Sequence, residues 1–239
     1  MRVLLVTTEL APFVAVSGLG NTVKVLSKEL LRLRHDVRIA VPCYPMVEYD
    51  ARYNVRPVLD KIVVPWAGGK AKHAFVKTAV LEGVPVYLVG SPEYFREVLD
   101  SGDLCRKDWE SYTFFARAVL EALKAVKPRW TPKVIHVSSW HGDLIPVYLN
   151  ALHRRDLNLK NVAVVATTHD IVSQDEFEFQ ATADAIYGVG RAESGKKVSL
   201  LRTAKDYELL YRAAWTKARS CRQQEIRIAN RCRSWSAAA

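Results

Sequence analysis

At 239 residues, 49% hydrophobic and 25% charged, the chain is sized for one large domain or two small ones around a well-buried core. It has no apolar stretch near the roughly 18 residues that cross a membrane, and its four cysteines (Cys43, Cys105, Cys221, Cys232) lack CxxC or paired Cys/His spacing, so neither a membrane partner nor a metal site is expected. Of the net charge of +10, the stretch Arg212 to Ala239 holds seven basic residues against Glu225, 7 − 1 = +6; the remaining +4 asks for no polyanionic partner, and no nucleic-acid motif is present.

Arg2 to Thr7 is a β-branched and Leu-rich run that reads as a buried parallel strand. Glu9 follows at once with no small-residue cleavage pattern, so this is a strand rather than a signal segment, and a cytoplasmic protein is expected. A loop with Pro12 and Gly18-Leu19-Gly20 leads into a helical pattern with Val23, Leu26, Leu30 and Leu33 at spacings of three and four. His35-Asp36 turns the chain into a second buried run, Val37 to Pro42, completing a βαβ unit.

From Tyr44 to Gly90 the pattern changes to short strands and hairpins. The runs are Val55 to Leu59, Ile62 to Val64, Ala74 to Leu81 and Val84 to Val89, punctuated by Gly68-Gly69 and Gly83. Tyr112 to Val126 has the spacing of an amphipathic helix, Val134 to Val137 that of a strand, Leu144 to Leu152 that of a helix and Val162 to Ala166 that of a strand. His136 is expected to be buried and hydrogen-bonded, and Glu176 to Glu178 and Lys196-Lys197 to be surface charge. Strands alternating with helices give an α/β fold with a Rossmann-like, doubly wound, mostly parallel sheet. In such sheets the ligand crevice lies outside the carboxyl ends of the strands. Three loops meet that condition: Glu9 to Gly20, Ser138 to Asp143, and His169 to Gln174. Residues 1–207 read as one domain, and 208–239 as a basic tail, rich in Arg, Ala and Ser, with the look of a frameshifted or truncated end.

Three ordered segments carry a family resemblance. They are Val3 to Val14 with Ser17 to Gly20 and Arg34 to Tyr44; Phe114 to Ala118 with Pro132 to His141; and Val165 to Asp170. Together they resemble the glycogen/starch synthase family of retaining glucosyltransferases. The resemblance implies a GT-B architecture of two facing Rossmann-like domains, of which this chain would be the N-terminal, acceptor-side half. It implies transfer of glucose from ADP-glucose (UDP-glucose less favoured) to an α-1,4-glucan, with sugar nucleotide and glucan as partners and no cofactor. The C-terminal domain of that architecture has no counterpart here, so the chain is expected to be inactive alone. The alternative is a non-catalytic glucan-binding module or a degenerate gene product.

The resemblance also assigns residues. His169 falls where the family histidine reaches the transferred sugar, and is the expected catalytic residue. Gly18 and Leu19 fall in the family's Lys-x-Gly-Gly-Leu loop. The backbone N–H groups at Gly18 to Gly20 either face an anion at a helix N-terminus or belong to a strand-to-helix turn that needs glycine for its backbone angles. Ser139, Trp140 and His141 fall in the acceptor/donor sugar region, where Trp140 would either stack on a glucose ring or pack in the core. The chain departs from the family pattern at five positions. Ala15 replaces the phosphate-contacting lysine, Ser17 a glycine, Asn21 and Ser139 aspartates, and Asp170 an asparagine. Asn21 keeps a side chain able to cap a helix.

Overall fold

A computed structural model describes residues 1–66, 69–95, 109–138, 142, 144–153, 155–167, 176–178 and 197–199. Seven strands form one sheet in the order β3-β4-β5-β2-β1-β6-β7. At its centre lies β1 (Arg2–Val6), paired in parallel with β2 (Asp36–Pro42) and β6 (Val134–Ser138). Val3, Leu4, Leu5 and Val6 are all at most 5% exposed; a central parallel strand is covered on both faces, which is why its sequence is continuously apolar rather than alternating.

The crossover helix α1 (Leu19–Arg32) packs on β2 and β5 (Val84–Gly90). Its buried positions are Leu19, Val23 and Ser27, with Leu26 and Leu30 half-buried. Leu33, expected on the same stripe, is instead the C-cap and 56% exposed. Arg34 then takes a left-handed φ of 60° that ends the helix, and the N–H of Asp36 donates to the Met1 carbonyl to start β2 beside β1.

The middle segment extends the sheet. β2 leads through α2 (Pro45–Glu48) and a 3-10 turn (Ala51–Tyr53) to β3 (Arg56–Pro65), which pairs antiparallel with β4 (Ala71–Leu81). The two short runs expected at Val55 to Leu59 and Ile62 to Val64 are one strand, irregular between Pro57 and Ile62, where the register slips twice. β4 turns into β5 through Glu82 (φ 48°) and Gly83 (φ 85°), a two-residue turn with both central residues left-handed, the geometry that suits sheet twist.

Helix α3 (Trp109–Ala125) returns the chain across the sheet to β6 on the far side of β1. Right-handed crossovers that run in opposite directions place their helices on opposite faces, so the sheet is doubly wound. Ser111 to Leu120 of α3 are all buried, because the helix is packed against β3 and β5 on one side and α4 (Leu144–Ala151) on the other. Arg117 lies within that stretch at 6% exposure, its guanidinium donating to the Pro65 carbonyl (2.8 Å) and lying over the rings of Trp66 and Tyr148. β7 (Ala163–Thr167) completes the parallel set. Glu176–Glu178 (β8) and Lys197–Ser199 (β9) pair as a separate antiparallel ribbon. No helix among the described residues is long and apolar enough to cross a membrane.

Candidate functional site

The direction of the chain reverses at β1: α1 carries it to β2 on one side, and α3 later carries it to β6 on the other. That reversal is where parallel α/β sheets open a crevice at their carboxyl edge. Val6, the last residue of β1, pairs with Ala40 and Val137, and Ser138 at the end of β6 pairs with Thr167 at the end of β7. Three of the strands that carry the expected loops are therefore adjacent, parallel and ended at one edge. His136, the middle residue of β6, bonds through Nε2 to Thr167 Oγ1 (2.7 Å) and ties the last two together.

The loop after β1 is built on a buried carboxylate. Thr7 donates its N–H to the Ala40 carbonyl, and its hydroxyl both donates to the Glu9 carbonyl (2.9 Å) and accepts from the Glu9 N–H (3.2 Å). Glu9 is only 4% exposed. Its Oε2 accepts from the N–H groups of Val16 (3.1 Å) and Ser17 (2.8 Å), and its Oε1 from the Ser17 hydroxyl (2.9 Å). Ser17 Oγ in turn accepts from the N–H of Leu19 (3.1 Å), the first residue of α1. A buried carboxylate is tolerated only when its lone pairs are used this way. Between those ends, Leu10 and Val14 exchange two backbone hydrogen bonds of 2.9 Å, and Phe13 packs its ring 4.4 Å from that of Tyr53 on the 3-10 turn.

Against this frame the expected residues separate. Gly18 is exposed at the helix N-cap with ordinary right-handed angles (φ −65°, ψ −15°) and nothing within 4 Å of where a Cβ would stand. Its backbone angles therefore do not require glycine. The position that does is Gly20, where a Cβ would meet the Val14 carbonyl oxygen at 2.8 Å and the Ala11 nitrogen at 3.1 Å. Leu19, expected among the contacts, has its side chain in the core at 8% exposure and its N–H engaged by Ser17; it anchors the loop. Ala15 and Ser17 are exposed on the outer turn. Asn21 is the third residue of α1 and not its cap; the cap is Gly18, which has no side chain to offer, and Ser17 one residue earlier accepts from the Leu19 N–H. The first-turn N–H groups at Gly20 and Asn21 have no carbonyl four residues back within the helix. Ser139, Trp140, His141, His169 and Asp170 lie outside the described residues. Gly142 in the same loop is described, and a Cβ there would stand 2.8 Å from Val137 Cβ, so Gly142 lies tight against β6.

Glu9 and Gly142 were not singled out by pattern, and Gly20 was marked for its N–H rather than for its close approach to the Leu10–Val14 turn. Ser17 was visible as a departure, but its role depends on Glu9, eight residues away.

A second polar cluster lies where β3 ends, β4 begins and β5 ends. Lys72 bonds to Glu93 (3.1 Å), Glu110 (2.8 Å) and the Tyr94 hydroxyl, and lies over the Trp66 ring. Partial burial works against its charge, yet those three partners hold its pKa well above the usual lysine range. Burial likewise opposes ionisation of Glu110, and bonds from Lys72 and Tyr94 nevertheless hold its carboxyl below the usual range. Burial, with the Glu110 bond, pushes the Tyr94 hydroxyl up. These groups satisfy one another. No group of three or more His, Cys, Asp or Glu among the described residues is arranged to hold a metal ion.

Residues 2–215 match the family described as the starch synthase catalytic domain. The chain belongs to that family. Among curated relatives it is 33% identical over 213 residues to glycogen synthase 2 of Geobacter metallireducens, covering 85% of this chain and 43% of that protein. It is 30% identical over 191 residues to glycogen synthase of Streptococcus pneumoniae, covering 80% of this chain and 38% of the relative. The chain thus spans about two fifths of the length of the curated relatives it matches. Its fold matches the catalytic domain of starch synthase IV from Arabidopsis thaliana, bound to ADP and acarbose, with a TM-score of 0.72 at 23% identity, covering 85% of this chain and 43% of that one.

Proposed function

We propose that this chain forms the acceptor-side half of a retaining glucosyltransferase that moves glucose from ADP-glucose to an α-1,4-glucan, and that it works in the cytoplasm. The observation that carries the proposal is the loop after β1, held at the switch point of a family-matched sheet with its exposed outer turn, Ala15 to Gly18, leading into the N-terminus of α1. Helix N-termini favour phosphate through unpaired N–H groups and the aligned backbone dipole. In this reading Gly18 and the N–H groups at Gly20 and Asn21 face the diphosphate. Ser139, Trp140 and His141 contact sugar. His169 backs the transferred glucose, with Asp170 beside it. Transfer with retention would use electrostatic stabilisation of an oxocarbenium-like centre and the departing diphosphate, with no cofactor. UDP-glucose is the less favoured donor. Residues 1–207 act as the domain and 208–239 as a basic tail.

Ala15 favours a second reading. Its exposed methyl supplies no charge where the resemblance puts a phosphate-contacting lysine, and in that reading the chain is a glucan-binding module without turnover of its own. One pair of measurements separates them: glucose incorporation from radiolabelled ADP-glucose into glycogen, and co-sedimentation with glycogen. Incorporation supports transfer, pelleting alone supports the binding module, and neither refutes both.

A further inference from the structure

We infer that Glu9 is a positioning residue for the anion-binding loop, acting through Ser17 on the first turn of α1. The inference rests on the proposed function, which gives that turn a diphosphate to bind, and it assigns the side chain that fixes the turn in place. A continuous hydrogen-bonded path runs from the sheet to the helix. The Ala40 carbonyl holds Thr7, Thr7 holds the Glu9 backbone, the Glu9 carboxylate holds Val16 and Ser17, and Ser17 Oγ holds the N–H of Leu19. All three bonds to the carboxylate go into the outer turn, and none into the core. Burial at 4% exposure makes that arrangement costly unless those bonds persist. The outer turn itself is exposed from Ala15 to Gly18 and contributes little apolar packing of its own. Its position relative to the helix is therefore set by the carboxylate, and with it the position of any anion held by the first-turn N–H groups.

Glutamine at position 9 separates geometry from charge. Its amide oxygen replaces Oε2 and still accepts from both N–H groups, while its NH2 turns the Ser17 bond round. Alanine removes the path altogether. Ser17→Gly, at an exposed position, cuts only the link between Glu9 and Leu19.

The test uses the 15N-labelled 239-residue chain titrated with inorganic pyrophosphate, read from the amide shifts of Gly18, Gly20 and Asn21, with melting temperatures recorded in parallel. We expect Glu9→Ala to weaken pyrophosphate binding by about three- to fivefold. Glu9→Gln should bind as tightly as the unsubstituted chain or more tightly, and Ser17→Gly should fall between. Melting temperature cannot mimic this pattern, because binding is read far below the transition and the glutamine variant restores it. Glu9→Ala binding as tightly as the unsubstituted chain, or Glu9→Gln binding as weakly as Glu9→Ala, overturns the inference. Failure of the underlying reading looks different: the unsubstituted chain itself shows no shift at Gly18, Gly20 or Asn21, and both ideas fall together.

Discussion

Replacing Gly20 by alanine tests the architecture of the loop with one methyl group. On helix propensity alone the change should stabilise, since alanine is favoured over glycine inside a helix by about 1 kcal/mol. The structure says the opposite. The new Cβ would stand 2.8 Å from the Val14 carbonyl oxygen, 3.1 Å from the Ala11 nitrogen and 3.4 Å from the Leu10 nitrogen. All three are backbone atoms, so no side chain can swing aside. Relief requires the turn from Leu10 to Val14 to move off the helix, which strains the two Leu10–Val14 hydrogen bonds of 2.9 Å and the Ala11 N–H to Gly20 carbonyl bond of 3.2 Å. Overpacking costs roughly 1–3 kcal/mol and each net hydrogen bond about 1 kcal/mol. Counting about 2 kcal/mol for the three strained bonds together and subtracting the propensity gain of about 1 kcal/mol, a loss of about 2–4 kcal/mol is expected. Urea unfolding followed by tryptophan fluorescence measures it. Gly18→Ala is the internal control: with nothing within 4 Å and ordinary angles, it should change stability by no more than about 0.5 kcal/mol. A Gly20→Ala protein as stable as the parent would refute the close approach. A Gly18→Ala protein that lost as much as Gly20→Ala would show that propensity and capping, not contact, govern both positions.

Further outcomes follow from the charges. Burial, reinforced by the neighbouring Glu48 carboxylate, pushes the Cys43 thiol up to about 12, so iodoacetamide at about pH 8 should leave Cys43 unmodified in the native chain and label it in urea, read by mass spectrometry. Native labelling at the unfolded rate would contradict its burial. The Glu110 carboxyl is held below its ordinary range in the folded chain, so its pairing with Lys72 stabilises above the unfolded carboxylate range and is lost as pH falls through the folded value. A double-mutant cycle with Lys72→Met and Glu110→Gln should therefore show a coupling of about 1 kcal/mol at neutral pH that disappears in strong acid; coupling that persists in strong acid would be packing, not charge. Ala15→Lys should tighten pyrophosphate binding by about three- to tenfold at low salt, with the gain shrinking as ionic strength rises; no gain would mean position 15 does not face the bound anion.

The parallel core of the sheet was legible because its strands are buried on both faces and so are written as unbroken apolar runs, as in Val3 to Val6 and Val37 to Val41. The hairpin from β4 to β5 was legible from Gly83, which the turn needs at φ 85°. β3 was not, because the irregularity between Pro57 and Ile62 interrupts its alternation and made one strand look like two. The extent of burial around α3 was also hidden: nothing in the local pattern marks Arg117 as buried, because its place between Trp66 and Tyr148 depends on residues about 50 and 30 positions away. At the site, the edge of the sheet was predictable from strand order, while the frame of the loop was not. A carboxylate after a strand ordinarily points to solvent, and the partners that bury Glu9 are mostly backbone N–H groups, which leave no mark on sequence.

From Thr7 to Gly20 the only ionisable side chain is Glu9, so the loop carries one negative charge of its own. The helix end opposes it with a partial positive charge equivalent to about half a unit, worth roughly 0.3–1 kcal/mol to a nearby anion. That is at most about fivefold in affinity, far less than a lysine directed at a leaving diphosphate supplies in a closed site. The loop therefore offers shape and hydrogen-bond donors rather than net charge. Glucan binding asks for nothing more, because its hydroxyls are neutral. Glucosyl transfer asks for charge at the departing diphosphate, and under the proposed function that charge has to come from residues beyond this loop. The two functional readings thus part at one exposed side chain, Ala15, while sharing the same sheet edge, the same Glu9 frame and the same first turn of α1.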